Sequence, residues 1–313
     1  MAIGLNTNVS SLNGLNNLNK VQNKLATSMN NLASGKRINS AKDDAAGLQI
    51  SDRLWAQLNG LNQGNRNAND GIAMAQTMEG ALSGTVDDLH RMRDLAVQAA
   101  NGTLTSTDRA ALQREMDQLS ENVTYTAGHT EFNGQTMLDG VNSSNGGNTT
   151  FQVGANMNDT VTMNFTDGFS MSSMMNVAAN GDANGATYGN QAIGAAAQGQ
   201  ARNLTDSNGN AYQSLSISSQ SDAETAINAI DSMISYVDSA RGQLGAVENR
   251  MESTISNQSS VAINTADAHS RITDTDYAEE VSNNIALGIL EKAGIAMLTQ
   301  SNASKKHVLN MLS

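Results

Sequence analysis

The sequence contains no proline and no cysteine, and it has few aromatic residues. Among its 313 residues there are one Trp, five Tyr and four Phe, an aromatic share of 3%. Without proline nothing forces a helix to stop or kink, so very long helices are permitted. Without cysteine, disulfides, thiolate metal sites and cysteine nucleophiles are excluded. The hydrophobic share of 39% is thin for a compact core and favours long helices that share narrow seams and finish burying their faces between subunits.

Positive charge is also scarce. The formal net charge is -12 and the pI is about 4.6, so the average surface repels a phosphate backbone and no nucleic-acid partner is expected. No run of about 20 apolar residues exists, so no membrane insertion is expected. The first basic residue is Lys20, and no basic segment followed by an apolar block marks a cleaved signal peptide. If the protein leaves the cell, it is expected to use a route other than the ordinary cleaved signal peptide.

Both ends of the chain carry apolar residues at the three-and-four spacing of one helix face. The first stripe comprises Leu5, Val9, Leu12, Leu18, Val21, Leu25, Met29 and Leu32, and the last comprises Leu287, Leu290, Met297, Val308, Met311 and Leu312. Most domains bury their middle and fray at their ends. Apolar ends around a polar middle predict that the termini pair with each other and stack against copies of the chain.

A heptad repeat runs from about residue 45 to residue 100. Its positions are Leu54, Leu61, Ala68, Ala75, Leu82, Leu89 and Ala96. One helix of this length would extend on the order of 80 Å at about 1.5 Å per residue. A shorter helix is predicted after the Asn101-Gly102 break, opened by Thr105 with Asp108 at capping-box spacing.

The C-terminal half mirrors this pattern from Asp222 onward. We predict a helical rod packed through Leu54, Leu61, Leu82, Leu89, Ile230, Val237, Leu244 and Met251. Arg241 and Glu248 interrupt the apolar stripe, which favours a register-setting role or a partner contact over catalysis.

The middle of the chain, about residues 132–219, is rich in Asn, Gly, Ser and Thr. Apolar residues alternate with polar ones between Phe151 and Phe165, a pattern typical of a half-buried β-hairpin. Beyond Thr166 the sequence predicts a loop-rich insertion with one further hairpin about Asn208-Gly209.

Signals for catalysis, cofactors and metals are weak throughout. The four histidines lie far apart in sequence, and no zinc-hydrolase motif, phosphate loop or dinucleotide fingerprint occurs. Asp206, Asn208 and Asn210 resemble half a calcium loop, but Ala211 and Ile217 stand where the loop needs Gly and Glu. A turn is favoured there, and neither a cofactor nor enzymatic activity is expected.

A polar segment separates the first apolar stripe from the heptad repeat. It extends from Ser34 to Leu48. Ser34-Gly35 is placed to end one helix, and Asp43 or Asp44 is placed to favour the N-terminus of the next. We interpret it as a joint, with an ordinary loop as the alternative.

Several blocks of this sequence resemble bacterial flagellin in the order in which the family has them. They are residues 33–53, Arg66-Asn-Ala-Asn-Asp-Gly-Ile72, Thr77-Met-Glu-Gly-Ala-Leu82, Glu131-Phe-Asn-Gly134, Leu244-Gly-Ala-Val-Glu-Asn-Arg250 and Ser270-Arg-Ile-Thr-Asp-Thr-Asp-Tyr277. The resemblance covers approximately residues 1–165 and 217–300.

The resemblance implies a mainly α fold, a long antiparallel coiled-coil rod made from the paired halves of the chain, with a β-hairpin and a small loop- and β-rich insertion. Residues 1–43 and 272–313 would form a terminal assembly domain, disordered in the monomer and coiled coil in the filament. Residues 44–165 and 217–271 would form the rod domain, and residues 166–216 a short variable outer domain.

The implied function is that of a structural subunit of the extracellular flagellar filament, exported unfolded by the flagellar type III system and used for swimming. Its implied partners are copies of itself, an export chaperone, the filament cap and the hook-junction proteins. The assembly residues would be Leu18, Val21, Leu25, Met29, Leu32, Leu287, Leu290, Met297, Val308 and Met311.

The resemblance further implies a surface for the flagellin-sensing Toll-like receptor of animals, carried over to Arg91, Leu95 and Glu115. For Leu95 and Leu89 rod packing is the alternative. Alternatives for the whole chain are a hook-filament junction protein and a flagellin-like surface adhesin or binding protein, with any enzymatic or carbohydrate-binding activity placed in the insertion.

Overall fold

The computed structural model describes residues 7–140, 147–181, 201–205 and 211–312. Its helices are α1 (Val9–Ser34), α2 (Ala45–Ala99), α3 (Ser106–His129), α4 (Met171–Asn180), α5 (Gln220–Thr273) and α6 (Tyr277–Leu312). Its strands are β1 (Glu131–Phe132), β2 (Gln135–Thr136), β3 (Asn148–Gln152), β4 (Thr160–Asn164), β5 (Arg202–Thr205) and β6 (Ala211–Ser214). Leu5 and the residues of the calcium-like segment, Asp206, Asn208 and Asn210, lie outside the described residues.

Internal contacts divide the chain into two units. The terminal unit consists of Met1–Asn59 and Val261–Ser313, and the central unit consists of Gly60–Ser260. The two longest helices, α2 and α5, contribute residues to both. The terminal unit is therefore assembled from segments at opposite ends of the sequence.

In the terminal unit α1 and α6 lie antiparallel. The Asn8 amide donates to Asn302, and farther along α1 the Gln22 amide donates to Glu291 at 3.0 Å. Gly14 allows a close approach, because a Cβ there would lie 2.9 Å from a methyl group of Leu298. The predicted pairing of the two ends is thus present within one chain.

The predicted joint between α1 and α2 ends one helix and begins the next. Gly35 closes α1 with φ 70°, and its N–H donates to the carbonyl of Asn31, as expected for a glycine C-cap. Asp44 accepts a hydrogen bond from the N–H of Gly47 at 2.8 Å at the start of α2, which is N-cap chemistry. The N–H of Arg37 donates to the carbonyl of Thr273 at 2.6 Å, so the joint is tied to the end of α5.

In the central unit α2 and α5 also lie antiparallel. Arg93 pairs with Asp231 at 2.6 Å, whereas Glu79 lies 3.7 Å from Arg241. Residue numbers therefore rise along one helix as they fall along the other. Met78, Leu82, Leu89, Ile230 and Val237 meet in the core of this unit, all at most 1% exposed. The heptad repeat therefore marks the buried seam.

The third helix, α3, begins where its cap was predicted. Thr105 and Asp108 form a reciprocal capping box, and Met116 and Val123 enter the same core. Gln113 holds the chain that follows β6: its amide donates to the carbonyl of Leu215 and its carbonyl accepts from the N–H of Ile217.

The middle of the chain contains both predicted hairpins and one helix that was missed. β3 pairs with β4, placing Phe151 opposite Val161, and β5 pairs with β6, placing Thr205 opposite Ala211. The helix α4 lies where the sequence predicted loops. Ser170 caps it, and its methionines are buried in the same core as α2, so the polar insertion still contributes apolar surface to the central unit.

The predicted mainly α fold of paired antiparallel helices with a β-hairpin is confirmed. Among the described residues, no helix is long and apolar enough to cross a membrane.

Candidate assembly surfaces

The terminal unit buries few of its large apolar side chains. Fifteen of the eighteen exposed large apolar side chains of the described residues belong to it. They are Val9, Leu12, Leu15, Met29, Ile50, Trp55, Val261, Ile263, Tyr277, Val281, Ile285, Ile289, Leu290, Ile295 and Met297. Its one buried apolar residue in the described part is Ile38, whereas the other buried apolar residues of the described part belong to the central unit.

Three short polar side chains of α1 are buried. Ser11, Ser28 and Asn31 are buried, and the Ser28 hydroxyl accepts from the Asn284 amide at 3.4 Å. Other large apolar residues of the two helices, among them Met29, Ile285 and Ile289, face outward and are exposed. Such exposed apolar surface marks an interaction site.

The predicted assembly residues divide between the seam and the outward faces. Leu18, Val21, Leu25, Leu32 and Leu287 are half-buried, while Met29, Leu290 and Met297 are exposed. Val308 and Met311 lie on α6, but their side chains lie outside the described part of the structure. An open groove of about 580 Å³ beside the seam is lined in part by Asn23, Leu287 and Leu290.

Helix α6 carries a second outward apolar stripe that was not predicted from the sequence. Val281, Ile285 and Ile289 follow each other at intervals of four residues and are all exposed. Their spacing was a visible helical signal, but the stripe through Leu287 and Leu290 drew the prediction to a neighbouring face. Helix α6 therefore presents apolar side chains over a wider arc than predicted.

The predicted rod residues lie in two settings. Leu61, Leu82, Leu89, Ile230, Val237, Leu244 and Met251 are buried in the central unit. Leu54 belongs to the terminal unit and is half-buried.

Arg241 and Glu248 are the charged residues that interrupt this seam. Arg241 lies 3.7 Å from Glu79 and 3.9 Å from Asp238, yet its Nε has no hydrogen-bond partner. Glu248 Oε1 is likewise buried without a partner. Burial, and then the negative charges of Glu79 and Glu252, raise the pKa of the Glu248 carboxyl.

The residues carried over for receptor binding do not all reach the surface. Arg91 on α2 and Glu115 on α3 are exposed and form an ion pair at 2.6 Å. Leu95 is 1% exposed and lies in the core. In this conformation Leu95 supports the helix that carries Arg91 and offers no side-chain contact of its own, in line with the packing alternative.

The described residues contain no group of three or more His, Asp or Glu side chains placed to hold a metal ion.

Comparisons with known proteins agree with this geometry. The N-terminal helical region of bacterial flagellin matches residues 5–143, and the C-terminal helical region of bacterial flagellin matches residues 227–312. The sequence is 34% identical over 382 residues to Flagellin A of Vibrio anguillarum, covering all of both chains. It is 37% identical over 316 residues to the flagellin of Bacillus subtilis strain 168, covering 98% of this chain and 99% of that one.

Among solved structures, a putative flagellar hook-associated protein from Vibrio parahaemolyticus superposes with a TM-score of 0.53 at 16% identity. The superposition covers 74% of this chain and 100% of the hook-associated protein. At this level of identity the likeness shows the fold alone. The paired helical regions and the full-length relatives place the protein in the bacterial flagellin family. Members of this family are structural subunits of the extracellular flagellar filament.

Proposed function

We propose that this chain is exported unfolded through the flagellar type III system and polymerises into a filament that drives swimming. The observation that carries the proposal is the exposed apolar surface of the terminal unit, concentrated on α1 and α6. Removing these apolar faces from water stabilises the protein by about 25 cal/mol for each Å² buried. Contact with copies of the chain provides that burial.

The proposal assigns different roles to the two units. The central unit has a continuous core through α2, α3, α4 and α5, so it can fold as a monomer. The terminal segments, residues 1–43 and 272–313, order on assembly, when burial between subunits offsets the conformational entropy lost. Leu18, Val21, Leu25 and Leu32 then close the intrachain seam, while Met29, Leu290 and Met297 contact neighbouring subunits.

Removing the terminal segments tests this division directly. A fragment of residues 44–271, which lacks both segments, should remain folded with a cooperative thermal transition, because it retains the core of the central unit. It should not elongate filament seeds, whereas the full-length chain should. Elongation by the fragment, or a full-length chain that forms no filaments on seeds, would contradict the proposal.

Motility and partners are tested in the cell. Deleting the gene should abolish swimming, and the full-length copy should restore it. In this proposal the export chaperone, the filament cap and the hook-junction proteins bind the terminal segments or the filament ends, and the residues 166–216 tolerate variation. Arg91 and Glu115 form the exposed part of the proposed surface for the animal Toll-like receptor.

A further inference from the structure

A cavity of about 630 Å³ opens in the central unit beside the second half of α3. Helical spacing brings Glu121, Tyr125 and His129 to one side of it, and Asp139 from the segment after β2 reaches it from another element. Its volume lies in the range of about 300–1,000 Å³ typical of small-molecule sites. The space beside Gly128 is open, because a Cβ at that position would meet no atom within 4 Å.

Two carboxylates line this cavity, and no Lys or Arg does among its described residues. Glu121 accepts a hydrogen bond from the Gln118 amide at 3.2 Å. Asp139 forms no hydrogen bond or ion pair with any described residue, and partial burial raises the pKa of its carboxyl. The cavity therefore disfavours anions, and a cation would compensate for the water that Asp139 has lost.

The aromatic wall adds a second source of attraction for a cation. The Tyr125 and His129 rings stack with their centroids 3.8 Å apart and their planes 15° apart. Tyr125 nevertheless remains 56% exposed, so part of its surface is free for a ligand. A tyrosine face attracts ammonium groups through its quadrupole.

We propose that this cavity binds a small aliphatic amine as its primary ammonium, with Asp139 and Glu121 as counter-charges and Tyr125 as the aromatic contact. A neutral sugar would also use an aromatic face and hydrogen-bonding side chains. It would leave both carboxylates without a counter-charge, so the charges favour the ammonium. The inference concerns the central unit and stands independently of filament assembly.

The experiment uses calorimetric titration of the full-length monomer with 1,5-diaminopentane at pH 7.5 and low salt, with galactose as the neutral probe. Saturable one-site binding of the diamine is expected. Asp139→Asn should weaken it at least tenfold, and Tyr125→Ala should also weaken it. Asp94→Asn, the same change at an exposed position of α2 outside the cavity, should leave it unchanged.

The melting temperature of Asp139→Asn distinguishes a loss of binding from a loss of folding. The raised pKa means that the stabilising contribution of Asp139 is present below its unfolded pKa and is lost as the pH rises through its folded pKa. At pH 7.5 the ionised carboxyl therefore opposes folding, and the asparagine variant should melt at the same or a higher temperature. The proposal is overturned by no saturable binding up to about 50 mM diamine, by equal binding in Asp139→Asn, or by tighter binding of galactose.

Discussion

The outward stripe on α6 makes a quantitative prediction about filament assembly. Ile285 and Ile289 are 59% and 62% exposed, so more than half of each side chain is still available for burial between subunits. Changing Ile to Ala removes three carbon atoms, worth about 2.4 kcal/mol when fully buried at about 0.8 kcal/mol per methylene. Scaled by the exposed fraction, each change should weaken subunit association by about 1.4 kcal/mol.

The double variant Ile285→Ala/Ile289→Ala should therefore lose about 3 kcal/mol of association free energy, and its critical concentration should rise roughly a hundredfold. Alanine has the higher helix propensity, so α6 itself is not weakened by the change. The assay is seeded polymerisation followed by sedimentation of filaments over a range of subunit concentrations.

Val97→Ala is the matched control, because Val97 is an exposed apolar residue of α2 in the central unit. It should leave the critical concentration within about twofold of the parent, since apolar truncations away from the assembly face change little. A critical concentration of the double variant that also stays within twofold of the parent, with an unchanged thermal transition, would refute burial of Ile285 and Ile289 between subunits.

Three further variants probe the central unit. Glu248→Gln should raise the melting temperature at pH 7, because a carboxyl whose pKa is raised in the folded state stabilises the protein only below its unfolded pKa. The gain in melting temperature should vanish near pH 4. An equal gain at both pH values would contradict this cause. Thr105→Ala should lower stability by about 1 kcal/mol in denaturant unfolding through loss of the α3 cap; Thr107→Ala, in the first turn, is the control. Arg91→Ala should weaken receptor activation by the monomer roughly fivefold or more, the loss of about 1 kcal/mol, and unchanged activation would remove Arg91 from the proposed surface.

Local sequence signals predicted the helices and hairpins well where one side of an element meets the core of its own chain. The heptad from Leu61 to Ala96 became the buried seam, and the Thr105 cap and the β3–β4 hairpin formed where their signals lay. In each case the period of the apolar residues and the chemistry of the turn or cap agree, so a local pattern suffices.

The same approach failed for α4 and for the faces of α6. The helix α4 follows the segment Thr166-Asp-Gly-Phe-Ser170, and its methionines were too few to outweigh the polar composition around them. Its burial depends on packing against α3 and β6 and on a core shared with α2 and α5, which no local pattern encodes. On α6 apolar residues occur on several faces, and a single sequence does not say which of them faces α1.

The cavity beside α3 lay beyond sequence analysis for a related reason. Glu121, Tyr125 and His129 share a helix face and could be grouped from their spacing. Asp139 joins them only through the fold of the segment after β2, and its unpaired state is a property of the packed structure.

The pairing of α1 with α6 must wait until both helices have been synthesised. Asn8 and Asn302, which meet in the terminal unit, are 294 positions apart in the chain. At about 5 to 20 residues per second, α1 spends roughly 15 to 60 s on the ribosome before its partner exists. During that interval the segment is available to whatever else can bind an apolar helix, so the order of the sequence itself delays the pairing of α1 with α6.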